Sequence, residues 1–400
     1  MNRIITIAFW GILALGIGWG VLSLGQRGDE SVSLAANSPS ELGAEVPAVD
    51  LQWRIFRGSQ GLLGVAEGSL PDTLTLDWTF ETEGPIMSSA AIVGDRVYIA
   101  STDNHVYCLD LETGERIWAF EADDPVESPP TVVQDRLFVG TLSGALYSLD
   151  ATTGAQLWRY ETDGQISGAA NWFHDAQGAL KVLVGSHDGS VHCVDAESGQ
   201  RMWRFETDSY VNGTPAVNGT LCAFGGCDAA LYVVDVADGM ERARVDTGSY
   251  VAASAAFHED RLYVGNYDGL FLCARVDEPN DWLWQYEIEG GAIFSSPAVG
   301  QGKVIFGDRD RQVHCLDEGD GHPIWVFKAL DNVDSSPVIC GDKVIFGSDD
   351  GRLYMVALEN GEKLWSFDVG QPILSSPAVA RGRVVVGCDD GTVYAFRAAQ

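Results

Sequence analysis

An all-β, eight-bladed β-propeller is the fold class that this sequence predicts, and three observations predict it. Tryptophans recur at Trp78, Trp118, Trp158, Trp203, Trp284, Trp325 and Trp365, in register with a repeat of 40 to 45 residues, and Ala243 stands where one more is due. A period of that length marks stacked supersecondary units. Within one unit, residues 125–164, the apolar alternations TVV, RLFVG, ALYSLD and QLWRYE are separated by QD, LSG and TTG. Short alternation between tight-turn residues is strand chemistry, so each unit is four short antiparallel strands, and nothing in it has helical period. Finally, a four-stranded meander has two faces to bury. A radial stack of such sheets buries both and leaves only short, protected edges.

The elements follow in order. Residues 74–84, LTLDWTFETEG, are a Trp strand with no unit of their own, whereas the last unit, residues 372–400, stops after three strands and lacks its Trp strand. The N-terminal strand is therefore predicted to be the outer strand of the C-terminal blade, which closes the ring non-covalently and brings the count to eight. Two irregular blades are expected. Blade four reads VDVADGMERAR with Ala243 for Trp, and blade five carries an extra residue in ARVDEPNDWLW.

Five units fit the pattern x-x-D-x-x-x-G-x-x-x-W: LDLETGERIW, LDATTGAQLW, VDAESGQRMW, LDEGDGHPIW and, with Ala357 for Asp, ALENGEKLW. This resembles the tryptophan-docking repeat of the PQQ-type (pyrroloquinoline quinone) eight-bladed propellers, a superfamily that includes quinoprotein dehydrogenases and the outer-membrane assembly lipoprotein BamB. The lead-in WRIFRGSQGLLGVAEGSLP is also similar to that of BamB-like propellers. The resemblance covers residues 52–400 and implies fold rather than activity, because the repeat itself is structural. The seven Trp residues are assigned to docking.

Outside the propeller, Ile4 to Leu24 is uncharged. At about 1.5 Å per residue, 21 helical residues span roughly 31 Å, close to the hydrocarbon thickness of a bilayer. Arg3 and the amino terminus are the only positive charges before it, which orients the propeller outward, to the periplasmic side. Residues 1–27 are read as an uncleaved transmembrane anchor, with cleavage after Gly25 or Ala35 as the alternative. No Cys follows the apolar run, so the lipid attachment that the resemblance to BamB implies has no acceptor here. Residues 28–51 are small, acidic and aromatic-free, a flexible tether, and residues 52–400 are the propeller.

With 57 acidic and 25 basic residues the formal charge is −32. That balance repels nucleic acid and anionic lipid, which excludes both as partners of the domain. Four of the eight cysteines, Cys108, Cys193, Cys273 and Cys315, occupy one repeat position, the first of the docking pattern. Equivalent positions on different blades lie beyond the roughly 7 Å that a disulfide spans, so these read as small buried apolar residues. Cys222, Cys227, Cys340 and Cys388 form no C-x-x-C pair and have no His at ligand spacing, so no zinc site is expected.

A second eightfold series is Asp103, Ser143, Asp188, Asp228, Asp268, Asp310, Asp350 and Asp390, each at the turn between second and third strands. Asp before Gly suits a tight hairpin turn, which explains the series without a ligand. These turns should share a propeller face with the inter-blade connections, which carry Glu121, Asp123, Asp124, Asp163, Asp208 and Glu289, so that one face is acidic.

The innermost strands begin Ser88, Ser128, Gly168, Gly213, Ala253, Ser295, Ser335 and Ser375, small residues suited to a narrow axial channel. The residues just before them, Met87, Glu127, Ser167, Asn212, Ala252, Phe294, Asp334 and Leu374, are expected at its mouth. Glu127, Asn212 and Asp334 are the candidate site residues. Resemblance to quinoprotein dehydrogenases implies a Glu and an Asn on calcium and an Asp base beside a bound quinone, and oxygen ligands suit calcium. Against this, Ala252 and Ala253 occupy the next blade and no long insertion roofs the mouth. The sequence is accordingly read as an extracytoplasmic, membrane-tethered binding or assembly scaffold, BamB-like, with protein partners, no catalytic residue, no metal and no cofactor. The alternatives are a PQQ-dependent dehydrogenase, intact or degenerate, and a small-ligand sensor.

Overall fold

A computed structural model describes residues 52–276 and 282–398. Eight antiparallel sheets form the ring, seven of four strands and one of five. Blade one comprises Ala91–Val93, Arg96–Ala100, His105–Asp110 and Arg116–Glu121, and the pattern repeats to blade seven, which begins at Val338–Cys340. Blade eight combines Ala378–Ala380, Arg383–Gly387 and Thr392–Ala398 with the N-terminal strand Leu74–Glu81, in the order predicted. Trp78 pairs with Ala395 in that antiparallel register. No helix occurs among the described residues, so none there is long and apolar enough to cross a membrane. The expected anchor (1–27) and tether (28–51) lie outside the described residues.

The docking repeat works across blade boundaries. The indole N–H of Trp78 donates to the Leu111 carbonyl of the following blade at 2.9 Å. Trp158 donates to Ala196 at 2.9 Å, Trp203 to Val236 at 2.9 Å and Trp325 to Leu358 at 2.9 Å. Trp118 and Trp284 make the same bond to Ala151 and Glu318. Each ring lies on the glycine of the next blade's docking turn. At Gly154, with φ +74°, an added Cβ would sit 2.7 Å from the Trp118 ring, so both the backbone angle and the close approach require glycine there.

Trp365 packs differently, against Phe396 at 5.5 Å between ring centroids, because the fourth strand of blade eight comes from the N-terminus and no docking turn follows its third strand among the described residues. Residues 277–281, which fall at the docking stretch of blade five in sequence, are also outside them. That stretch has Pro279 where the other blades have the docking glycine, so the missing Trp and its missing seat go together.

Cys108, Cys193, Cys273 and Cys315 each pair across strands with a docking Trp. They are buried, and all eight cysteines are free. Burial pushes these four thiols up to about 12, which suits inert packing groups rather than nucleophiles.

Residues 53–66 do something the repeat does not announce. The segment runs across the inner strands at one end of the channel, and its carbonyls accept inner-strand amides blade after blade. Trp53 takes Ile92, Arg54 takes Val132, Gln60 takes Val217, Gly61 takes Phe257, Leu63 takes Val299 and Gly64 takes Ile339, all at 2.7 to 2.9 Å. It ends as the strand Val65–Ala66, parallel to blade seven and its fifth member. Its own Trp53, Ile55 and Leu62 are buried. Arg57 is wholly buried as well, donating to the Ser336 carbonyl at 3.1 Å and the Pro337 carbonyl at 2.6 Å. Desolvation lowers its pKa to about 9.

Candidate functional site

The strap closes one end of the channel and leaves a cavity of about 190 Å³ open at the other, floored by Phe56. All of the expected mouth residues line it: Met87, Glu127, Ser167, Asn212, Ala252, Phe294, Asp334 and Leu374. The wall below them includes Gly168, Gly213 and Ala253 as expected, but in the serine-bearing blades it is set one residue later. Side chains alternate along a strand, so Ser88, Ser295 and Ser375 turn into their own blades, where they donate to Ala100, Gly307 and Gly387 at 2.7 to 2.8 Å. Ser89, Thr214, Ser254, Ser296, Ser336 and Ser376 line the channel, together with Gly168, Gly213 and Ala253 of the expected series.

These six hydroxyls form a collar. The amide of Thr214 donates to the Ser254 hydroxyl at 2.8 Å, Ser254 to Ser296 at 3.0 Å, Ser296 to Ser336 at 2.9 Å, Ser336 to Ser376 at 2.9 Å and Ser376 to Ser89 at 3.0 Å. Every bond joins one blade to the next, so the collar locks the inner strands around the axis. It breaks at blade two, where Pro129 has neither amide hydrogen nor hydroxyl.

The mouth residues differ in how far they are already engaged. Asp334 is clamped by Arg309, whose Nη2 and Nε reach it at 2.6 and 3.0 Å, and the guanidinium lies 3.6 Å from the Phe294 ring centroid. Asn212 donates its amide to the Cys227 thiol at 3.0 Å. Ser167 and His187 approach at 3.5 Å, and burial lowers the imidazole pKa. Glu127 is half-buried and makes no hydrogen bond or ion pair among the described residues. Desolvation alone raises its pKa, as expected of a carboxyl with no cation in reach. Thus the structure brings Glu127, Asn212 and Asp334 to one cavity, but only Glu127 has a free carboxylate.

Around the mouth lies a ring that sequence reading missed: Thr102, Leu142, His187, Cys227, Tyr267, Arg309, Asp349 and Asp389, each donating its amide to the connection from the preceding blade. The signal was available as the second residue after each second strand, or the first in blade three, whose strand runs one residue longer. On one arc the ring and its connections are aromatic. His187 stacks on Tyr210 at 5.1 Å, Tyr250 meets Tyr267 at 6.1 Å and Tyr267 meets Phe294 at 5.8 Å. Tyr210, Tyr250 and Tyr267 remain 55, 54 and 48 % exposed. On another arc Asp349, with Oδ1 buried and unpartnered, has its pKa raised to about 6 by desolvation and by Asp334.

The aspartate turns of the second series are structural. Asp103, Asp228, Asp350 and Asp390 accept tyrosine hydroxyls from Tyr107, Tyr232, Tyr354 and Tyr394 at 2.5 to 2.9 Å. Asp188 holds the buried His192 at 2.9 Å, whose other nitrogen meets Tyr160 at 2.8 Å. Asp103, Asp188, Asp228 and Asp350 also accept amides of the connections, from Glu83, Asp163, Asp208 and Leu330, which puts turns and connections on one face. Glu121, Asp123, Asp163, Asp208 and Glu289 are exposed. No group of three or more metal-binding side chains occurs among the described residues.

Residues 173–400 match the family model described as the β-propeller of the beta-alanine-activating enzyme, and residues 71–171 match that of outer membrane protein assembly factor BamB. No curated protein matches the chain in sequence. Among solved structures, BamB from Moraxella catarrhalis is similar at a TM-score of 0.70 and 20 % identity, covering 81 % of this chain and 98 % of its own. A europium-containing methanol dehydrogenase gives 0.75 at 16 %, with 88 and 98 % covered. Quinohemoprotein alcohol dehydrogenase from Comamonas testosteroni gives 0.74 at 14 %, with 87 and 81 % covered. At these identities the likeness is one of fold, shared by an assembly factor and by enzymes alike. With the first of the two family models spanning more than half of its length, the chain belongs to the β-propeller family described for the beta-alanine-activating enzyme, and with residues 71–171 matching the BamB model and eight blades in the ring it is a PQQ-type propeller with BamB-like repeats.

Proposed function

We propose that this chain is an extracytoplasmic, membrane-tethered scaffold that docks a protein partner on the open mouth of its propeller and does no redox chemistry. The observation that carries the reading is the aromatic arc of Tyr210, Tyr250, Tyr267 and Phe294 with Arg309, exposed beside the cavity. Tyrosine and arginine are the residue types that concentrate binding energy at protein interfaces, because they bury large rigid surfaces and still make hydrogen bonds. The anchor in this reading is the uncharged run of 4–24 and the tether residues 28–51, and the match of one stretch to an assembly factor agrees with a scaffold.

The same mouth suits a calcium-bound quinone poorly. At about 190 Å³ it falls below the usual range of roughly 300 to 1,000 Å³ for organic ligands. A tricyclic quinone carrying three carboxylates would face Glu127 and Asp334, with Asp349 behind, against Arg309 as the neighbouring cation, already engaged by Asp334. Asn212 and Asp334 are spent on Cys227 and Arg309, and Ala252 and Ala253 offer no base.

The test is photo-crosslinking from position 250 in cells that express the chain. One partner band is expected, and it should fade when Tyr267→Ala and Phe294→Ala are combined. Dye-linked alcohol or sugar oxidation with added quinone and calcium should stay at the level of a Glu127→Ala control. Turnover above that control would make the protein an enzyme.

A further inference from the structure

We propose that the cavity at the channel mouth is a receptor for a primary ammonium carried on an aliphatic stem, with Glu127 as its counter-ion. The inference rests on the scaffold reading only for where such a group could come from. The site itself stands on the cavity's chemistry. Glu127 lines the open-mouthed cavity at the axis, half removed from water, and no cation, amide or hydroxyl of the described protein compensates it. A carboxylate held in that state gains more from an incoming cation than an exposed one, because it has already lost part of its hydration and the attraction acts in a lower dielectric.

Its surroundings choose among cations. Around the ring, the mouth positions after Glu127 on the way to Asp334 are Met87 and Leu374, and the floor is Phe56, so the wall on that side is apolar. On the other side stand Ser167 and Asn212. A divalent metal would want six or more oxygen ligands, and here one free carboxylate is available beside a hydroxyl and an amide. A primary ammonium wants about three acceptors. Glu127 can supply one, and Ser167 and the collar hydroxyls, which accept one amide each and donate to no protein acceptor among the described residues, can supply others. Methylene groups behind the ammonium would then lie on Met87, Leu374 and Phe56, where a hydrated metal ion would gain nothing. Arg309 shows the same combination within the protein itself, a cation held between a carboxylate and the Phe294 ring.

Two sources present this chemistry: a free alkylamine or diamine, and a lysine side chain offered by the docked partner. Isothermal titration of the propeller with cadaverine, with Nα-acetyl-lysine methylamide and with its Nε-acetylated form separates them. Binding of either ammonium compound, with none for the acetylated form, is the expected result, and preference for cadaverine or for the lysine amide identifies the source. Glu127→Gln should weaken that binding at least tenfold, whereas Glu115→Gln, exposed at the far end of blade one, should not change it. Met87→Arg, which places a cation beside Glu127 from within, should abolish binding and raise the melting temperature, and it serves as the second variant if Glu127→Gln fails to fold. The proposal is overturned if neither ammonium compound binds, if the acetylated form binds equally, if calcium binds in their place, or if Glu127→Gln leaves the affinity unchanged. Crosslinking through the tyrosine arc reads separately, so loss of the ammonium site with the partner retained, or the reverse, shows which idea has failed.

Discussion

The channel mouth shows how one repeat position acquires different chemistry in each blade. Arg309 and Asp349 occupy the same place in blades six and seven, but one is satisfied by Asp334 and the other is pressed against it. Desolvation and the Asp334 charge outweigh the opposing pull of Asn332 and Arg309, and the Asp349 carboxyl is pushed from 3.8 to about 6. A folded-state pKa above the unfolded one means that the native state holds the proton longer. Stability is therefore lost as pH rises through the interval from about 4 to about 6 and is not recovered above it. Asp349→Asn should melt at the same temperature as the natural chain below about pH 4 and at a higher temperature from about pH 6 to 8, because the amide has no charge to desolvate. Melting curves across that range check it, and equal curves at pH 7.5 would show that water reaches the carboxylate. A group that costs stability at neutral pH fits a surface kept for binding rather than for folding.

The elements divide into those the sequence displays and those it hides. Blade strands, their turns and the closure by Leu74–Glu81 were legible because each is written as a pattern of side chains, apolar alternation, Asp–Gly turns and a Trp in fixed register. The mouth residues were legible from the same register, as were Gly168, Gly213 and Ala253 in the wall below them, whereas Ser88, Ser295 and Ser375 were misplaced by one residue, an error that flips a strand's faces. The strap of residues 53–66 was not legible as a plug, since its ties are backbone carbonyls meeting backbone amides, which any residue supplies. Besides the resemblance of the lead-in, its sequence signal was the buried Trp53, Ile55 and Leu62, apolar residues with no blade to belong to. If the strap joins blades as the hydrogen bonds indicate, a chain beginning at residue 68 keeps its closing strand but loses the six inner-strand bonds, together with the Arg57 bonds and the pairing of Val65–Ala66. In hydrogen exchange, the amides of Ile92, Val132, Val217, Phe257, Val299 and Ile339 should then lose protection together, while those of the third strands, such as Val106 and Leu146, should keep theirs. Unchanged protection at the six inner-strand amides would mean that the ring needs no strap.

At the scale of the whole molecule, charge decides what can approach. A formal charge of −32 sets a long-range field that favours basic or neutral partners. Which carboxylates project that field at the mouth is settled by what the others are doing. Asp188 and Asp228 hold His192, Tyr232 and the amides of the connections, so changing them would break turns rather than report on a surface. Glu121, Asp163, Asp208 and Glu289 are exposed and their carboxylates make no bond among the described residues, so they can be neutralised without touching the fold. If the acidic face steers the partner, capture measured at rising ionic strength should weaken steeply, because attraction between exposed charges is screened beyond about 10 Å at 0.1 M salt. The fourfold Gln and Asn variant should bind more slowly at low salt and approach the natural chain at high salt, since rim charges act mainly on the association rate. Surface plasmon resonance between 0.05 and 0.5 M salt, roughly spanning the range over which screening takes hold, separates the two rate constants. An association rate that the variant leaves unaltered at low salt would remove the acidic face from recognition and leave the tyrosine arc and the cavity to account for it alone.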